Sequence, residues 1–171
     1  IAGAAALAGK SLEEVAAIAQ GFADNMATLA VAASGATNPA TGMEIAQVSA
    51  GCMEVGVGLH GEAGKAKPMA TAEETVSAML DALLEDLNVL AEEKLMVIVS
   101  GSGATSLMEQ LIVYRNCYAY LVEKEIEIVA SHVGELMTVQ EMAGFEICIA
   151  RMNEELVEYW NSPCRTPYFK K

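Results

Sequence analysis

The segment Cys52-Met53-Glu54-Val55-Gly56-Val57-Gly58-Leu59-His60-Gly61-Glu62-Ala63-Gly64 comes closest, by residue type and spacing, to a chemical site. Strand alternation puts Met53, Val55, Val57 and Leu59 on one face and Glu54, Gly56, Gly58 and His60 on the other. The first face reads as core. On the second, two successive glycines leave bare backbone beside the histidine and cost the strand stability and packing, so some other group is expected to fill the space. The Gly-Glu-Ala-Gly turn then leaves His60 at a strand end beside flexible backbone, where ligand sites commonly lie. A blander reading stays open: strand-end histidines also serve as plain hydrogen-bonding groups, and paired glycines also admit a neighbouring helix or a bulge.

Other candidates are weaker. His132, between Ser131 and Val133 at the end of another strand-like run, has no glycine floor and reads as structural. Ser100-Gly101-Ser102-Gly103-Ala104-Thr105-Ser106 leads from an apolar run into a helix start, a backbone arrangement that can cradle an anion. A tight strand-to-helix turn explains the same residues. The loop lacks the Lys before Ser/Thr of a Walker motif, and Ser106 stands where the dinucleotide pattern needs its third glycine. No Ser/His/Asp order and no glycosidase-like carboxylate pair stands out. Cys52, Cys117, Cys148 and Cys164 form no C-x-x-C pair, and with two histidines in the chain no Cys/His zinc pattern can be drawn.

Elements must hold these residues in place, and the composition says that they can. The 171 residues suit one domain with a real core, and 53% hydrophobic against 19% charged residues excludes intrinsic disorder. A net charge of −13 and a pI near 4.4 repel nucleic acid and anionic membranes, so neither is an expected partner. Apolar runs are broken by Gly, Glu and Lys well short of the ~20 residues that cross a bilayer, and no membrane span is expected. The Ala-rich opening lacks a basic n-region, so no signal peptide is expected, and cysteines that look reduced fit a cytoplasmic address.

Capping boxes predict helix starts at Ser11 with Glu14, Thr71 with Glu74, Ser106 with Glu109 and Thr138 with Glu141. After Thr71 the stripe Val76, Met79, Leu80, Leu83, Leu84, Leu87 and Leu90 predicts a helix packed on a sheet. Strands are predicted over 26–33, 52–60, 95–100, 126–133 and 145–152, with 95–100 apolar on both faces as for a central strand. Residues 34–49 read as a long connection or flap. The expected fold is α+β: a layered sandwich with a mixed sheet of about five strands packed with helices.

The segment Gly58-Leu59-His60-Gly61-Glu62-Ala63-Gly64 is similar to the Gly-Ile-His-Gly-Glu-Pro-Gly motif of the dihydroxyacetone kinase substrate-binding subunit, with Ala63 where proline is usual. Residues 2–6 and 10–15, 103–109, 133–138 with 141–145, and Ser162-Pro163-Cys164-Arg165-Thr166-Pro167 extend the resemblance along nearly all the chain. It implies that residues 1–171 are the C-terminal domain of such a subunit, that the family's acid/base residues lie in an N-terminal domain, and that the subunit is a homodimer. His60 would attack the carbonyl carbon of dihydroxyacetone or a related short ketose and hold it as a hemiaminal, with Gly58 and Glu62 shaping the site. No cofactor is expected on this chain; a nucleotide with Mg is expected on a partner subunit, recharged by the phosphotransferase system in preference to exchangeable ATP. The departures at Glu135, Leu136 and Ser106 allow an alternative, a ketose-binding paralogue acting as a transcriptional co-regulator.

Overall fold

A computed structural model describes residues 1–58 and 62–171. Helices α1 (Ala2–Leu7) and α2 (Leu12–Ala23) precede β1 (Met26–Ala32), a small hairpin of β2 (Ala36–Thr37) and β3 (Glu44–Ile45), then β4 (Cys52–Val55) and β5 (Lys65–Pro68). There follow α3 (Ala72–Leu87), β6 (Lys94–Gly101), α4 (Leu107–Glu123), β7 (Glu127–Gly134), β8 (Gly144–Arg151) and α5 (Glu154–Asn161). One mixed sheet has the order β5-β4-β1-β8-β6-β7. Its single parallel pair among the described residues is β6 with β7, and α4 joins them, because a parallel connection needs a crossover long enough for a helix.

Three of the four expected capping boxes form. The hydroxyls of Ser11, Thr71 and Ser106 accept from the amides of Glu14, Glu74 and Glu109, while those carboxylates accept the cap amides at 2.7–2.9 Å. Thr138 and Glu141 do not start a helix: β8 begins at Gly144, which leaves too few residues for a helical turn to be worth its nucleation cost. The chain there forms a loop in which the Val139 amide donates to the Ser102 carbonyl. Helix α5 is capped by Asn153, whose side-chain oxygen accepts from the Leu156 amide at 2.8 Å. With no Glu or Gln at the third helical position it carries no capping-box signature.

Helices α3 and α4 cover one face of the sheet. Val76, Met79, Leu80 and Leu83 of α3, with Val113, Cys117 and Leu121 of α4, pack on Leu95, Val97, Val99, Ile147 and Ile149. The stripe ends sooner than the spacing predicts, since Asn88 turns left-handed and leaves Leu90 70% exposed. On the other face Met96, Ala150 and Met152 meet Phe22 of α2 and Leu156, Val157 and Trp160 of α5. That double cover is why β6 carries no polar face over most of its length. In β7, Leu95 pairs with Ile128 and Met96 with Ala130, so Val129 bulges and the alternation of this strand blurs.

The expected mixed sheet is present with one strand more than the count of about five, and one strand boundary needs correction. The sheet has six strands rather than about five: Lys65-Ala66-Lys67-Pro68 adds an edge strand whose lysines and proline hide it from a β-propensity reading, and such residues also protect an edge from further pairing. The strand expected over 52–60 stops at Val55. Gly56 adopts φ +86°, donating its amide to the Ala30 carbonyl, and this left-handed step reverses the alternation. Val57 therefore leaves the face of Met53 and Val55 and joins Ala32, Ala36 and Met142 in a small separate cluster.

Candidate functional site

Helices α2 and α5 cover only one end of their face of the sheet. At the other end a cavity of about 520 Å³ stands over β1, β4 and β8, floored by Thr28, Ala30, Glu54 and Glu146. These are the outward residues of strands whose inward residues, Leu29, Val31, Met53 and Ile147, belong to the core. The hairpin β2–β3 supplies one wall through Ile45 and Gln47, and the loop between β7 and β8 supplies another through Met137, Val139 and Met142. The long connection expected over 34–49 is thus a wall of the cavity.

Gly58 and Glu62 both line this cavity. The Gly58 amide donates to the Glu62 carbonyl at 2.9 Å, and a Cβ built on Gly58 would lie 2.1 Å from a Glu62 carboxylate oxygen. The bare backbone at Gly58 is therefore filled by Glu62. His60, the third residue expected at the site, lies outside the described residues.

Glu146 sits between Ala30 of β1 and Ser100 of β6. Burial pushes its carboxyl above the usual carboxylate range, partly offset by a hydrogen bond with the Ser100 hydroxyl. Ser100 is fully buried and accepts the amides of Leu136 and Met137 at 3.1 and 3.3 Å, which ties the loop between β7 and β8 to the central strand. Two residues along β8, Cys148 stands opposite Thr28 of β1, and burial raises its thiol pKa. The Cys117 thiol is pushed up to about 12 by burial in the core, which keeps it protonated at neutral pH. The sequence did not single out Glu146, and it offered Ser100 only as the start of a loop that could cradle an anion. A signal was present in Phe145-Glu146-Ile147-Cys148-Ile149, where alternation sets a carboxylate on the face opposite the core.

The remaining candidates fall on the structural side. His132 meets the Phe169 ring edge-on, with centroids 5.2 Å apart, and burial lowers its pKa. In the loop from Ser100 to Ser106, the amides of Ser102 and Ala104 donate to the carbonyls of Gly144 and Met142, and that of Ser106 to the Glu109 carboxylate. Those amides bind the protein's own acceptors, as in a tight turn. Among the described residues no three His, Cys, Asp or Glu side chains are grouped to hold a metal ion, and no helix is long and apolar enough to cross a membrane.

A mixed six-stranded sheet layered with helices is also the fold of a solved dihydroxyacetone kinase operon co-activator, Dha-DhaQ, which superposes with a TM-score of 0.89 at 24% identity over 95% of this chain and 51% of that one. The chain belongs to the Dak1 domain family, whose model matches residues 1–168. It is 36% identical over 170 residues to the dihydroxyacetone-binding subunit DhaK of PTS-dependent dihydroxyacetone kinase 2 from Listeria innocua, covering 99% of this chain and 51% of the relative. It is 34% identical to an L-erythrulose kinase from Pectobacterium atrosepticum, covering 98% of this chain and 29% of that enzyme. The chain thus spans about half the length of the first relative and under a third of the second.

Proposed function

We propose that this chain is the C-terminal, ketose-holding domain of a dihydroxyacetone kinase subunit and that His60 binds the ketone covalently. The observation that carries the reading is the placement of Gly58 and Glu62, the residues bracketing His60, together on the wall of the cavity. A neutral imidazole nitrogen adds to the carbonyl carbon, the C=O π pair moves to oxygen, oxygen takes a proton, and the other ring nitrogen gives one up. The adduct is a neutral hemiaminal. Ketones form it, whereas glycerol, with hydroxyls but no carbonyl, does not. One free hydroxyl of the held ketose is then presented to the phosphoryl donor.

In this reading the acid/base residues come from an N-terminal domain, a partner subunit holds nucleotide with Mg, and the subunit is a homodimer. Similarity to a PTS-dependent relative supports the phosphotransferase system over exchangeable ATP as the source of phosphate. The experiment is titration of the full-length protein and its His60→Ala variant with dihydroxyacetone and with glycerol, followed by intact-mass analysis. Dihydroxyacetone binding that is lost in the variant, with glycerol much weaker, is expected. Equal affinity of both proteins for dihydroxyacetone overturns the covalent role. Ketose binding without phosphoryl transfer when the partner subunits are supplied replaces the kinase with a ketose-sensing co-regulator.

A further inference from the structure

We infer that Glu146 is a specificity-determining residue of the cavity: its carboxyl hydrogen-bonds a hydroxyl of the bound ketone, so the site takes uncharged polyhydroxy ketones and disfavours their phosphate esters. The inference rests on the ketose reading above and deepens it.

Glu146 occupies the middle of the cavity floor on β8, with Ala30 beside it on β1 and Ser100 beside it on β6. Alanine on one side leaves the carboxyl open to the cavity. On the other side, Ser100 has a single hydroxyl proton, which its oxygen can donate to the Gly101 carbonyl 3.1 Å away, while that same oxygen accepts from two amides. A carboxylate offers about four acceptor positions, so one shared proton leaves most of them for another donor. Hydroxyls of a short ketose are donors of the right size.

The setting argues against a purely structural role. Glu146 alternates with Phe145 and Ile147, in a strand where burial works against its charge, and the described lining of the cavity contains no Lys, Arg or His to pair with it. A costly charge held in a cleft is a mark of function. The lining instead contains two further carboxylates, Glu54 and Glu62. Glu54 and Glu146 make the floor of the cavity acidic, which tolerates a neutral polyol and opposes a phosphate dianion. For a kinase this favours release of the phosphorylated product.

The test uses the full-length protein with Glu146→Ala, which removes the carboxyl, and Glu146→Gln, which keeps a hydrogen-bonding group without the charge. Dissociation constants are measured for dihydroxyacetone and for dihydroxyacetone phosphate. Their ratio is not moved by loss of folded protein. Glu146→Ala is expected to bind dihydroxyacetone about tenfold more weakly while holding the phosphate ester as well as or better than wild type. Glu146→Gln is expected to stay within about threefold for dihydroxyacetone and to tighten on the phosphate ester. Unchanged dihydroxyacetone affinity in Glu146→Ala overturns the inference, as does equal weakening of both ligands. Failure of the wild-type protein to bind dihydroxyacetone at all overturns the ketose reading and this inference with it; loss of binding in His60→Ala with an unchanged ratio in both Glu146 variants removes this inference alone.

Discussion

The Arg151 guanidinium holds Glu93 at 2.5 Å through Nε and donates through Nη2 to the Asn88 carbonyl at 2.8 Å, joining the end of β8 to the turn that leads from α3 into β6. The ion pair keeps the Glu93 carboxyl below the usual range. A depressed folded-state pKa means stability that is present above the unfolded value, near 4.5, and is lost as pH falls through the lower folded one. Glu93→Gln is expected to cost about 0.5–1 kcal/mol at neutral pH. Denaturant unfolding at pH 7 and again below pH 4 checks this, the difference shrinking in acid.

Glu146 has the opposite sign. Its raised folded-state pKa means that the native protein holds the proton more tightly than the unfolded chain, so stability falls as pH rises from the unfolded pKa to the folded one, with no penalty below the first and the full penalty above the second. Glu146→Gln is expected to be more stable at neutral pH by about 0.5 kcal/mol after discounting for partial exposure. That is roughly 1–2 °C in Tm for a chain of this size. Thermal melts from pH 4 to pH 8 should show the advantage fading in acid. A less stable variant across the whole range would mean that the carboxylate is a structural anchor.

Gly58→Ala pushes a methyl group onto the Glu62 carboxylate, and Glu62 Cβ itself lies 2.8 Å from that position, so side-chain rotation alone does not relieve the clash. Overpacking of this kind costs about 1–3 kcal/mol. The cost falls on the contact between Gly58 and Glu62 and not on the sheet. Dihydroxyacetone affinity measured by calorimetry is expected to drop about tenfold while Tm moves by only a few degrees.

Gly103 has φ +133°, and a Cβ there would lie 2.0 Å from the Gln140 carbonyl oxygen. Gly103→Ala therefore strains both the turn into α4 and the loop that roofs the cavity. The expected loss is about 2 kcal/mol or more. Urea unfolding measures it, and faster amide exchange in residues 135–143 than in β6 would locate the damage.

Acid should also weaken ketone binding in the full-length protein. Only unprotonated imidazole attacks a carbonyl, and an ordinary histidine ionises near ~6.5, so affinity is expected to fall about tenfold per pH unit once His60 is protonated. Titrations from pH 5 to pH 8 check the slope. A flat profile would leave His60 as a polar contact.

Local chemistry determined a large part of this protein from sequence alone. Ser11, Thr71 and Ser106 start their helices because hydroxyl and carboxylate satisfy orphan amides within one turn, and residues 95–100 form a central strand because they are apolar on both faces. Of the Gly58-to-Gly64 motif, Gly58, Glu62 and Ala63 line the cavity, and the motif was legible because its residues are neighbours in the chain. Tertiary structure decided the rest. Lys65–Pro68 is a strand only because β4 offers it a partner, and Thr138 with Glu141 caps nothing because β8 claims the chain at Gly144. The reversal at Gly56 depends on a backbone bond to Ala30 in another strand. Glu146 became part of a cavity floor only when α2 and α5 covered one end of the sheet and left the other open, a property of packing that no run of neighbouring residues encodes.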